Sequence, residues 1–178
     1  MNNLPLLTGL SEVADNYAAF LIDSWGVMHD GVAPFDKALD CLRELKALDK
    51  KVIILTNSAR RSSVVKAELL DIGIDQSLID AVVAGGEAAW QSLQQPNNLG
   101  SLCFYLGNKR SRSLFEVLAL DETKSVTEAH FILNTGLPEN SSDAEIAEIL
   151  EAAIQQNIKM LCANPDIYFY FGGEKRFC

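Results

Sequence analysis

Ala18-Ala19-Phe20-Leu21-Ile22-Asp23 and, further along, Val52-Ile53-Ile54-Leu55-Thr56-Asn57-Ser58 decide how the chain folds. Each begins as a short unbroken apolar run, the pattern of a strand buried on both faces of a sheet, and each ends abruptly in polar residues. Between them, from Asp36 to Lys50, Leu39, Leu42, Leu45 and Leu48 recur beside Ala38 and Cys41, which predicts a helix with one apolar face. Strand, helix, strand is a βαβ unit. Its right-handed crossover returns the second strand parallel to the first and brings both carboxyl ends to one edge. In open parallel sheets, ligands bind outside that edge. Asp23 and the Thr56-Asn57-Ser58 trio are therefore candidates to face one another across a crevice. The plainer alternative stays open, with Asp23 capping a turn and Thr56 capping the next helix.

The alternation continues outward. A helix is expected from about Arg60 to Asp71 with Gly73 ending it, then a strand over Asp80–Ala84 and a helix over Glu87–Gln94. Gly85-Gly86 lacks the spacing of a dinucleotide loop and reads as a tight turn. Gln94-Gln95-Pro96-Asn97-Asn98 is polar, holds a helix breaker and is the best linker in the chain. Beyond it, strands are expected at Ser101–Leu106, His130–Asn134 and Ile158–Ala163, with helices at Ser111–Leu118 and Asp143–Gln156. Ser142 and Glu145 have capping-box spacing. Ile167–Phe171 reads as a strand turning at Gly172-Gly173 into a return strand that stops at Cys178, as though cut short.

Composition narrows the function. The 178 residues carry 15 Lys and Arg against 24 Asp and Glu, a net charge of −9, with 48% hydrophobic and 22% charged residues. A core is affordable, and the acidic balance excludes an electrostatic footprint for nucleic acid or an anionic membrane. No apolar run approaches the ~20 residues of a bilayer span, and the first residues lack a secretory pattern. Cys41, Cys103, Cys162 and Cys178 form no Cys-x-x-Cys pair and read as reduced thiols of a cytoplasmic protein.

Phe20-Leu21-Ile22-Asp23-Ser24-Trp25-Gly26-Val27, Pro34-Phe35 and a helix, then Ile53-Ile54-Leu55-Thr56-Asn57-Ser58, resembles the haloacid dehalogenase (HAD) superfamily. Gly85-Gly86-Glu87-Ala88-Ala89 and Cys162-Ala163-Asn164-Pro165-Asp166 are similar to its subclass IIA phosphatases. The resemblance implies an α/β fold: a Rossmann-like three-layer parallel-sheet core, its N-terminal part at 1–97, and an inserted α/β cap of the C2 type at 98–178. It implies a Mg²⁺-dependent phosphoric-monoester hydrolase acting on a small phosphorylated metabolite, with the cap as the candidate surface for a homodimer. Asp23 matches the nucleophile that forms an aspartyl phosphate. Thr56 matches the hydroxyl that grips the phosphoryl group, with Asn57 and Ser58 beside it as substrate-binding residues. Asp23 and the Trp25 carbonyl match two Mg²⁺ ligands.

Two departures stand out. The family's second carboxylate, which protonates the leaving group and later activates water, is replaced by Trp25, as in an Asp-x-Trp-Gly-Val branch. Asp30 is a candidate substitute from the following turn. The family's Lys and further acidic metal ligands have no counterpart before Cys178, so the chain taken alone is expected to be inactive. His29 and His130 lack metal-ligand spacing, and His130 reads as structural. Arg60 and Arg61 read first as a solvated helix face, with contact by one of them to substrate left open, and Lys109-Arg110-Ser111-Arg112 as a surface cluster ahead of a substrate clamp. The rival readings are a HAD-fold protein that binds a phosphorylated metabolite without turnover, and a phospho-accepting receiver domain. The receiver is disfavoured by the missing acidic pair near its first strand.

Overall fold

The computed structural model describes residues 6–95, 99–115, 118, 120–171 and 174–177. Leu39, Leu42 and Leu45 fall on one side of α1 (Asp36–Ala47) and bury against Phe20 and Ile22 of β1 (Ala19–Asp23) and Val52 and Ile54 of β2 (Lys51–Thr56). Helix α2 (Ser62–Asp71) adds Val65 and Leu69 to the same core and ends before Gly73, whose φ of 101° suits a residue without Cβ. Strand β3 (Ala81–Ala84) completes a parallel sheet of order β1-β2-β3. Its register sets Asp23 beside Leu55 and Thr56 beside Ala84.

The first strand departs from expectation in two ways. It includes Asp23 as its last residue, and it is covered on one face only. Both crossovers step in the same direction across the sheet, so their right-handedness puts α1 and α2 on one side. On the other face Leu21, Leu55 and Val83 are 65, 45 and 45% exposed.

After β3 the chain enters α3 (Gly85–Gln94) at once, so Gly85-Gly86 forms the first turn of a helix and not a tight turn before one. Ala89 and Leu93 of α3 pack with Cys103, Leu114, Phe131, Leu133 and Ala163 in a second core. That core lies against a second parallel sheet of order β5-β4-β6-β7, formed by β4 (Leu102–Leu106), β5 (Asp121–Thr123), β6 (Phe131–Asn134) and β7 (Lys159–Cys162). Phe131, Ile132 and Leu133 are completely buried, each worth ~1.5–3 kcal/mol over exposure. Strand β5, Asp-Glu-Thr, has no apolar run to announce it. Of the helix expected at Ser111–Leu118, residues 116 and 117 lie outside the described residues, and the part up to Phe115 belongs instead to a 3-10 segment, Lys109–Phe115. There the Asn108 side chain accepts from the Ser111 amide and hydroxyl, satisfying the turn locally.

Helix α4 (Asp143–Gln155) starts from the expected capping box: Ser142 Oγ accepts from the Glu145 amide, and the Glu145 carboxylate accepts from that of Ser142. Strands β8 (Tyr168–Phe171) and β9 (Glu174–Phe177) pair antiparallel. The turn read at Gly172-Gly173, the linker residues 96–98 and Cys178 lie outside the described residues. Among the described residues Cys41, Cys103 and Cys162 are free thiols, and burial pushes Cys103 up to about 11. No helix among them is long and apolar enough to cross a membrane.

Asp80, just before β3, ties that strand's start to α1 and β2. Its carboxylate accepts from Lys46 Nζ at 2.7 Å, the Val52 amide at 2.8 Å and Lys51 Nζ at 3.3 Å. These bonds, the Lys46 ammonium first, hold its carboxyl well below the usual carboxylate range. A carboxyl whose pKa is lowered by folding stabilises above its unfolded value, near 4, and loses that contribution as pH falls below it. Asp80→Asn is therefore expected to lower the melting temperature at pH 7, with the gap to wild type closing as the pH drops below about 4. A gap that stays constant on acidification would remove the ionic explanation.

Candidate active site

Asp23 closes β1 with an exposed carboxylate that has no hydrogen-bond partner among the described residues. One strand over, Thr56 is buried at the end of β2, and its Oγ1 accepts from the Ser58 amide at 3.2 Å. The register pairs Asp23 with Leu55, so Thr56 lies one residue further along the adjacent strand, the two strands being ~5 Å apart. Asp23, Thr56 and Ser58 thus share one edge, as the crossover argument requires. Asn57 shares it too, but its amide nitrogen donates to Asp166 Oδ1 at 3.1 Å, so that donor points toward a carboxylate.

Asp166 follows β7 in a turn where its own amide donates to Asn164 Oδ1 at 3.0 Å. The Ala163 carbonyl before it lies where a Cβ on Gly85 would come within 2.6 Å. The segments that follow β2, β3 and β7 therefore meet at the carboxyl ends of the two parallel sheets. Sequence reasoning assigned Asp166 no role; it noted only the segment that carries it.

The segment after Asp23 is a tightly bonded loop. Met28 N donates to the Ser24 carbonyl at 2.8 Å, and Gly26 N donates to that of His29 at 2.9 Å. Ser24 and His29 are both buried, with Ser24 Oγ 2.9 Å from His29 Nε2. His29 Nδ1 accepts from the Gly31 amide at 2.9 Å, so the ring proton sits on Nε2 and is donated to Ser24. Burial lowers the His29 pKa and keeps the ring neutral. The Trp25 indole meets that ring edge to face, 4.9 Å between centroids.

A model of haloacid dehalogenase-like hydrolases matches residues 20–120. The chain belongs to that family. A haloacid dehalogenase-like hydrolase from Brucella suis 1330 superposes with a TM-score of 0.88 at 27% identity, over 98% of this chain and 66% of its own. A p-nitrophenyl phosphatase from Archaeoglobus fulgidus gives 0.67 at 21% identity, over 90% of this chain and 60% of its own. A glycerol phosphate phosphatase from Mycobacterium tuberculosis, crystallised with magnesium, gives 0.68 at 20%, over 93% and 49%. The chain thus spans between about half and two thirds of the length of these structures. No curated protein matches it.

Within this haloacid dehalogenase-like frame, the side chains suggested as substitutes or accessories fall into place. Asp30 Oδ1 accepts from the Val32 and Ala33 amides at 2.9 and 3.0 Å, and these bonds, Ala33 first, lower its pKa. A carboxyl held ionised by its own turn is a poor proton donor, which counts against its service as the missing acid. Neither Arg60 nor Arg61 lies on a solvated face. Arg60 is 8% exposed, paired with Glu68, and its Nε donates to Ser58 Oγ at 2.9 Å. Arg61 clasps both oxygens of Glu87 at 2.8 and 3.1 Å and lies 3.5 Å above the Trp90 ring. Two adjacent arginines at a helix start look solvated in sequence, because their carboxylate partners lie elsewhere in the chain. In the basic cluster of the second half, Arg110 reaches Glu68 and Arg112 clasps Glu122. His130 is structural, its Nδ1 accepting from the Leu102 amide at 3.2 Å.

For a hard cation the end of β1 offers the exposed Asp23 carboxylate. Among the described residues no group of three or more His, Cys, Asp or Glu side chains could hold a metal. Mg²⁺ ordinarily keeps several waters and takes one or two carboxylates plus substrate phosphate, so an exposed carboxylate at a strand end is chemically suited to it as one donor.

Gly86 donates its amide to the Ser58 carbonyl at 2.9 Å, and a Cβ there would overlap the Ala59 and Arg60 carbonyls. The start of α3 can press against the 57–60 loop only because two successive side chains are missing. Gly86→Ala is expected to destabilise the fold by roughly 3 kcal/mol, the upper end of ordinary overpacking, read from the denaturant midpoint. An unchanged midpoint would mean that the loop gives way freely.

Proposed function

We propose that this chain carries the nucleophile half of a phosphoric-monoester hydrolase acting on a small phosphorylated metabolite in the cytoplasm. The observation that supports it best is the Asp23 carboxylate, unpartnered among the described residues, at the end of the strand next to the one that carries Thr56. In this reading an Asp23 oxygen attacks phosphorus and the ester P–O bond breaks. The leaving oxygen takes its proton from solvent, because Trp25 has none to give. Water then attacks the aspartyl phosphate, releasing inorganic phosphate and restoring the carboxylate. The Thr56 and Ser58 hydroxyls donate to phosphoryl oxygens, and Asp166 orients Asn57. Asp23 and the Trp25 carbonyl would hold Mg²⁺, which when bound offsets the repulsion between carboxylate and phosphate.

Trp25 and the self-capped Asp30 favour a second reading, a phosphate-binding protein without turnover. Nitrophenyl phosphate, the substrate named for the Archaeoglobus relative, separates the two. The full-length protein is expected to release nitrophenolate with Mg²⁺ and to stop on chelation. Phosphate binding with no turnover of any phosphate ester would leave the second reading standing.

A further inference from the structure

We propose that Arg60 is a positioning residue, which turns the Ser58 hydroxyl into an obligate hydrogen-bond donor toward a phosphoryl oxygen. The proposal rests on the phosphate-site reading above. A serine hydroxyl has one proton to donate and two acceptor sites. At Ser58 both acceptor sites are filled from the same residue: Arg60 Nε donates at 2.9 Å and the Arg60 amide at 3.4 Å. The Ser58 O–H has no acceptor of its own among the described residues. What remains at that atom is a lone donor at the strand edge that Asp23 and Thr56 share. A hydroxyl fixed in that way favours an acceptor-only ligand, and a fully ionised phosphoryl group is one.

Arg60 is held so that it cannot turn away. Its side chain is buried, and its terminal nitrogen is anchored on one Glu68 oxygen, while the other accepts from Arg110 at 3.2 Å. The guanidinium is a planar fork: one nitrogen serves Glu68 while Nε serves Ser58. A lysine could keep the charge opposite Glu68 but has no second donor at the Nε position. This separates a geometric role from a purely electrostatic one.

The test is calorimetric titration of inorganic phosphate into the full-length wild type, Thr56→Ala, Ser58→Ala, Arg60→Lys and the Ser58→Ala/Arg60→Lys double variant, with melting temperatures alongside. Ser58→Ala and Arg60→Lys are each expected to weaken binding roughly ten- to a hundred-fold. The double variant is expected to bind no worse than Ser58→Ala, because Arg60 acts through that hydroxyl. Additive losses, or wild-type binding by Arg60→Lys, would overturn the positioning role. If Thr56→Ala binds like wild type, or the wild type binds no phosphate, the phosphate-site reading falls and this proposal with it. If Thr56→Ala binds weakly while Arg60→Lys is unaffected, only the positioning role falls. Should Arg60→Lys fail to fold, Glu68→Gln loosens the anchor with Arg60 in place. Its loss is expected to be smaller, and to vanish in the Ser58→Ala background; a loss that persists there overturns the proposal.

Discussion

Asp23→Asn is expected to abolish hydrolysis of nitrophenyl phosphate while leaving the fold and phosphate binding intact. The side chain is exposed and unpartnered among the described residues, so an isosteric amide disturbs no packing and breaks no internal bond. It removes the only feature that attack on phosphorus requires, an anionic oxygen at the strand end. Removing a negative charge that faces the phosphate should leave phosphate binding measured without Mg²⁺ equal or tighter. The effect therefore falls on kcat and not on KM. No phosphorylated protein should be trapped when the variant is quenched in acid. Wild-type turnover by Asp23→Asn would place the nucleophile elsewhere.

The second large effect concerns Trp25 and follows from which half-reaction needs a proton carrier. Expelling an alkoxide without an acid is slow, whereas nitrophenolate leaves unaided. A positioned acid typically contributes ~10²–10⁴ in rate. Aryl phosphates are therefore expected to be cleaved faster than alkyl phosphates by a factor of that order. Water must then attack the aspartyl phosphate without a carboxylate base, so the second step should limit turnover and a pre-steady-state burst of nitrophenolate should appear. For the first step the neighbouring groups supply no acid: the His29 ring proton is committed to Ser24, and Asp30 is held ionised by two amides of its turn. Trp25→Asp is expected to remove the burst and flatten the leaving-group dependence. Equal aryl and alkyl rates with no burst in the wild type would mean that another group carries the proton.

Much of this arrangement is legible in the order of residues. Apolar runs ending at Asp23 and Thr56, with a helix of periodic leucines between them, suffice for two parallel strands with polar ends on one edge. The capping box at Ser142 is legible because both partners lie within one turn. What escapes the sequence depends on distant partners. Arg60 reads as solvated because Glu68 comes into reach only once α2 has formed. The donor of Asn57 cannot be assigned until β7 brings Asp166 beside it, 109 positions later. Gly85-Gly86 reads as a turn because glycine ordinarily marks unusual backbone angles, whereas here the absent side chains make room for the 57–60 loop. The one-sided burial of β1 is likewise invisible in Phe20-Leu21-Ile22, since an apolar run does not reveal which of its faces a helix covers.

The place of α3 has a mechanical consequence. Its Ala89 and Leu93 are embedded in the core of the second sheet, while its first turn is pinned by the Gly86 amide to the carbonyl of Ser58. The helix is therefore built as a lever would be, its long arm embedded in the second core and its first turn resting on the loop that follows Thr56. Any swing of the second sheet that opened the crevice would be geared down through Gly85-Gly86 and delivered to the loop as a small displacement. Stiffness at that fulcrum sets how far the crevice can open before the donors of Thr56 and Ser58 lose their aim.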